Sequence, residues 1–104
     1  MGSSLGSTQP NRLRVIFTDH ARSRAVDRGI DENEIVRIVN NPIEEIFDQK
    51  NSNFKCYGQA MDYYIKQTRY LMIVHSGKFN NSVKIITSMW IDPQGLQFYG
   101  FNKI

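Results

Sequence analysis

His20, Arg24 and Arg28 recur at every fourth position in the stretch His20-Ala21-Arg22-Ser23-Arg24-Ala25-Val26-Asp27-Arg28-Gly29-Ile30. On a helix that spacing sets one imidazole and two guanidiniums in a single stripe. The combination suits phosphodiester chemistry, because imidazole moves a proton near neutral pH and the arginine fork matches phosphate geometry. Metal-free RNA cleavage needs a base for the 2′-hydroxyl, cations for charge building on phosphorus, and an acid for the departing 5′-oxygen. His75, at the end of an apolar run, or a tyrosine is the candidate acid. His20, Arg24, Arg28 and His75 are therefore the candidate catalytic set. Arg22, Arg69, Lys55, Lys84 and Tyr57 are the candidate RNA-binding set, with Phe54, Tyr63, Tyr64 and Trp90 as further aromatics on which single-stranded bases can stack.

Plainer readings stand beside these. A histidine in a first helical turn can cap or hydrogen-bond, and arginines on an exposed stripe can pair with Asp27, Glu32 or Glu34. His75 can cap a loop, and aromatics in a small sheet are more often core. Cys56 within a strand pattern reads as a small buried hydrophobe, although nucleophilic catalysis with either histidine stays open. Two histidines far apart and one cysteine show no metal-ligand spacing, and Gly58, Gly77 and Gly95 form no phosphate-cradling loop, so no metal or cofactor is expected.

Local signals predict the elements that position these residues. Leu13 to Phe17 is β-branched and apolar, a strand. Thr18 is the N-cap of a helix over Asp19–Arg28, with Asp19 at its positive end, Ala21, Ala25 and more loosely Val26 facing a sheet, and Gly29 as the stop. Asp31 with Glu34 opens a second helix whose apolar face is Ile35, Val36, Ile38 and Val39, ending at Asn40-Asn41 before Pro42. Strands follow at Ile43–Asp48, Phe54–Ala60, Tyr70–His75 and Ser82–Ile91. Alternation puts Arg69 and His75 on the same side as Leu71 and Ile73. Met61 to Thr68 fits either extended chain or a turn, and the aromatic tail from Leu96 to Phe101 fits either an edge strand or a cover over the core. The order predicts an α+β fold, two N-terminal helices packed on one face of an antiparallel sheet of four to five strands. Residues 1–11 read as a disordered leader or expression scar, 12–92 as a single α+β domain, and 93–104 as a C-terminal tail or edge strand.

The 104 residues carry 13 Lys+Arg against 10 Asp+Glu, a net +3 that hides an uneven distribution. Residues 1–28 sum to +3, residues 29–50 to −4 and residues 51–104 to +4. If the basic beginning and end meet in space, they make a patch for a polyanion. A 40% hydrophobic, 22% charged composition excludes a fibrous or wholly disordered chain. No apolar run approaches the ~20 residues needed to span a bilayer, so no membrane partner is expected. The lone cysteine excludes an internal disulfide and fits a cytoplasmic setting.

The run Phe17-Thr18-Asp19-His20-Ala21, then Arg24, Arg28-Gly29-Ile30 and the acidic-capped helix ending in Asn41-Pro42, resembles the bacterial family called domain of unknown function DUF4258. The later run Val83-Lys84-Ile85-Ile86-Thr87-Ser88-Met89-Trp90 is similar to its closing strand. The resemblance covers roughly residues 13–91. It implies kinship with small RNase toxins of the RelE, ParE and BrnT type, a RelE/barnase-like fold, and His20, Arg24 and Arg28 as active-site positions. RNA and an antitoxin or other protein are then the expected partners. The departure is at Met61 to Thr68, longer than that family's usual connection. Two functions follow: an RNase-toxin-like domain that binds RNA and cleaves it without metal, or a non-catalytic module binding protein or nucleic acid on the same scaffold.

Overall fold

The structure is a computed structural model, and it describes residues 13–104; the predicted leader at 1–11 lies outside the described residues. Strand β1 (Arg14–Phe17) leads into α1 (Asp19–Asp27) and α2 (Glu32–Asn40). Then come β2 (Glu44–Asp48), β3 (Asn53–Asp62), β4 (Gln67–His75) and β5 (Ser82–Ile91), and α3 (Pro93–Phe98) closes the order. The sheet has five strands in the order β1-β5-β4-β3-β2. From β2 to β5 every pairing is antiparallel, but β1 runs parallel to β5, with Arg14 opposite Ser82 and Phe17 opposite Ile85. The sheet is therefore mixed, which corrects the antiparallel expectation. The cause is chain direction: two helices lie between β1 and the rest, so β1 meets the last strand instead of its sequence neighbour.

Thr18 and Asp31 cap their helices as predicted, but Glu34 does not complete a box with Asp31: its carboxylate accepts from the Met61 N–H at 2.9 Å and pairs with Arg37. Thr18 accepts from the backbone N–H of Ala21 at 3.0 Å, and its hydroxyl donates to the Ile85 carbonyl, fastening the start of α1 to β5. Asp31 caps α2 through the N–H of Asn33. Gly29, at φ +67°, ends α1 in the left-handed conformation, where a side chain would also strike the Tyr64 ring. Helix α1 rests Ala21 and Ala25 beside Val83 and Ile85, whereas Val26, 71% exposed, takes no part in that face. Helix α2 buries Ile35, Ile38 and Val39 over β3, a contribution of about 1.5–3 kcal/mol per side chain. Gly58 permits the approach: a Cβ there would stand 2.9 Å from Ile38 Cγ1.

The second face of the sheet is also covered. Leu96 and Phe101 close over Tyr57, Met72 and Val74. The segment expected as a tail or edge strand is the short helix α3, capped by Asp92 and carrying Pro93 in its first turn. Beyond it, the Glu44 carboxylate accepts the N–H groups of Asn102 and Lys103. Met61 to Thr68 resolves into a hairpin whose turn is Tyr63–Lys66, with Lys66 at φ +57°. None of the described helices is long and apolar enough to cross a membrane.

Candidate nucleic-acid interface

The parity of the strands divides the candidate residues. His20, Arg22, Arg24 and Arg28 ride on α1, and Arg69 and His75 share the face of the sheet beneath the helices with Leu71 and Ile73. Lys55 and Tyr57 belong to β3 and Lys84 to β5. Lys55 and Lys84 alternate with Cys56, Val83 and Ile85 and so face the α3 side, where Tyr57 is core. The predicted RNA-binding set is thus split between two opposite faces.

Several members are committed to other partners. Arg22 pairs with Glu32 at 2.7 Å, which raises its already high pKa. Lys55 is only 7% exposed and is held by Asp48 and Asn53, with its ammonium 5.8 Å from the Tyr99 ring centre. The ammonium holds the Asp48 carboxyl below its ordinary range. Tyr57 is buried, its hydroxyl has no hydrogen-bond partner among the described residues, and burial pushes its pKa up. Neither Lys55 nor Tyr57 can meet a nucleic acid in this arrangement.

His75 has no exposed surface. It stacks on Phe54 at 5.6 Å, and its two nitrogens are both occupied. The N–H of Gly77 donates to Nδ1 at 3.0 Å, so the ring proton sits on Nε2 and is donated to Glu45 Oε1 at 2.8 Å. Burial lowers the His75 pKa, and Glu45 works against that shift. The role expected for His75, an acid at the leaving oxygen, therefore finds it sealed inside the sheet.

Glu45, Cys56 and His75 stand on three neighbouring strands, and one donor atom from each lies within 4.8 Å of the others. Spacing along the chain could not show this cluster, because strand register assembles it. A metal on Nε2 would need that nitrogen's lone pair. The ring proton would then move to Nδ1 and meet the Gly77 N–H head on, so the hydrogen bonding fits a shared proton better than a cation. Burial also pushes the Cys56 thiol up to about 12, leaving it protonated and a poor nucleophile.

On the outside of α1 the arrangement differs. His20 and Arg24 are exposed, and neither side chain has a partner among the described residues. Arg28 instead bends onto β5, donating to the Ser88 carbonyl at 2.6 Å and to Thr87 Oγ1 at 3.3 Å. Its own carbonyl accepts from Trp90 Nε1 at 2.9 Å. The Arg69 guanidinium lies 4.9 Å from the Trp90 ring centre and is pinned by Asp62 at 2.8 Å. Arg69 in turn holds the Asp62 carboxyl below its ordinary range. Arg28, Trp90 and Arg69 so form one cluster at the C-terminal end of α1. His20 stands about 12 Å from it along the helix, at a rise of about 1.5 Å per residue.

The family model for the domain of unknown function DUF4258 matches residues 17–90, from the last residue of β1 to Trp90. The chain belongs to the DUF4258 family. The matched region of this DUF4258 domain contains α1, the sealed His75 pocket and the Arg28–Trp90–Arg69 cluster, while α3 lies beyond it. No curated protein and no solved structure matches this DUF4258 chain. Sequence reasoning did not single out Glu45 or Asp62 as partners. Alternation signals their faces, but only the register shows whom they meet.

Proposed function

We propose that this chain is a small RNA-binding domain, akin to the RNase toxins of the RelE, ParE and BrnT type and acting in the cytoplasm, which holds a single-stranded backbone along the outer face of α1. The observation that carries the reading is the different state of the helix's arginines. Arg22 is neutralised by Glu32 and Arg28 is anchored on β5, whereas the Arg24 guanidinium and the His20 imidazole, one helical turn apart, have no partner among the described residues. An exposed cation without a counter-charge is what a phosphate contact requires, and its binding releases counterions. Titrating labelled single-stranded RNA at several salt concentrations tests this. Affinity should fall as salt rises, and Arg24→Ala should weaken binding and flatten the slope by about 0.7. Binding indifferent to salt and to Arg24→Ala would sink the RNA reading and point to a protein partner, an antitoxin on the toxin reading.

Cleavage is the second reading, favoured by the exposure of His20 in the first turn of α1. With His75 sealed, proton delivery to the leaving oxygen falls to a tyrosine, the other candidate acid, or to water. Incubation of labelled RNA in EDTA decides: products formed by the wild type and lost in His20→Ala support cleavage, and identical lanes reject it.

A further inference from the structure

A groove of about 510 Å³ opens beside the Arg28–Trp90–Arg69 cluster, lined by Arg69, Tyr70, Trp90, Ile91, Asp92 and Pro93. We propose that this groove is a slot for one unpaired nucleobase, stacked on the open face of the Arg69 guanidinium. The inference rests on the RNA-binding reading and adds the chemical group recognised at a second point.

Three observations converge on it. The guanidinium is already placed: its central carbon lies over the Trp90 ring, 4.9 Å from the centroid, and Asp62, itself buried, holds one of its nitrogens at 2.8 Å. Trp90 is in turn fixed by its bond to the Arg28 carbonyl. The side chain of Arg69 nevertheless keeps 39% of its surface exposed. A planar group entering the groove therefore meets a platform that needs no reordering, and the entropic cost of immobilising an arginine is already met within the fold.

Charge then selects the occupant. Asp62 neutralises Arg69, and Asp92 adds a carboxylate at the rim, so the groove holds no surplus positive charge for a phosphate. A neutral aromatic ring suffers no such penalty and gains a guanidinium–indole column to extend. Stacking of this kind tolerates any base, because each presents a π-face. The backbone would then be held by Arg24 and a base by Arg69, two different contacts on the same side of the sheet.

Trp90 is the only tryptophan of the chain, so its single indole N–H resonance reports the slot alone. In NMR titrations, adenosine 5′-monophosphate should shift that resonance saturably, and ribose 5-phosphate should not. Arg69→Lys keeps the charge opposite Asp62 but removes the plane, and it should weaken the adenosine 5′-monophosphate response by about tenfold. The shift should persist in Arg24→Ala, whose defect is confined to long RNA. An equal response to ribose 5-phosphate, or an unchanged affinity in a folded Arg69→Lys, would overturn the base slot. RNA that binds with the expected salt slope yet leaves the indole resonance unmoved would overturn the slot while leaving the RNA-binding reading intact. A saturable shift with mononucleotide beside salt-indifferent RNA binding would do the reverse.

Discussion

His20 and His75 are chemically the same side chain in opposite situations. His75 is enclosed by Phe54, Gly77, Glu45 and Cys56, and each ring nitrogen has one fixed partner. His20 stands in solvent on α1 with no partner among the described residues. Neighbouring geometry, not residue type, separates them. A proton on Nδ1 of His75 would displace the Gly77 N–H, so the ring is fixed as a structural donor. The ring of His20, exposed on α1, is open to whatever binds the outer face of the helix.

Replacing each histidine by alanine gives the widest separation between them. His75→Ala removes a fully buried ring and leaves Glu45 and the Gly77 N–H without partners, a loss of about 2–4 kcal/mol in urea unfolding. His20→Ala should change stability by no more than about 0.5 kcal/mol. A similar loss from both would end the distinction.

Gly77 sharpens the same contrast from the backbone. At φ +92°, with an added Cβ only 2.6 Å from Phe54, Gly77→Ala should cost about 1–3 kcal/mol and loosen the contact to Nδ1. The matching measurement is the unfolding midpoint, with the His75 ring resonances as a local reporter.

Acid should act on the buried site first. The folded pKa of His75 is lowered from its ordinary 6.5, so the unfolded chain takes up the proton more readily than the folded one. The stability that follows is complete above about pH 6.5 and is lost as pH falls below it. The lowered carboxyls of Glu34 and Asp62 add a second loss at more acid pH, as the unfolded carboxylates protonate first. Unfolding followed from pH 7.5 to 5.5 should show a decline in the wild type that His75→Gln abolishes and His20→Gln does not.

Thiol chemistry gives the smallest signal. With Cys56 buried and its thiol pushed up to about 12, a thiol reagent should label the folded chain at the rate of unfolding and the unfolded chain at once. Prompt labelling of the native protein would show that the pocket is open.

Most of the local structure was legible in the sequence because caps and periodicity act within a few residues. Thr18, Gly29, Asp31 and the apolar face of α2 all behave as their types and spacing predict. Helix α3 had a readable signal too: Asp92 before Pro93 is an N-cap followed by proline in the first turn. Gly95 and the shortness of the segment mask that signal, so that 93–104 reads as a tail or edge strand. What could not be read was register and direction. The parallel docking of β1, the meeting of Glu45 with His75, and the burial of Lys55 beneath Tyr99 depend on partners remote in the chain. For the site, the stripe on α1 was visible, but the diversion of Arg28 to Ser88 and the split across two faces were not.

The parallel pair β1 and β5 also sets an order of events during synthesis. Thr18 and the carbonyl it bonds, that of Ile85, are 67 residues apart. Until β5 has been translated, β1 has no strand to join and α1 has no floor for Ala21 and Ala25. Local helices can flicker in the nascent chain, but contacts of such separation close late. The surface that displays His20 and Arg24 is thus completed only once β5, the last of the described strands, has been made, and a product truncated before Ile85 would carry those residues without the scaffold that aims them.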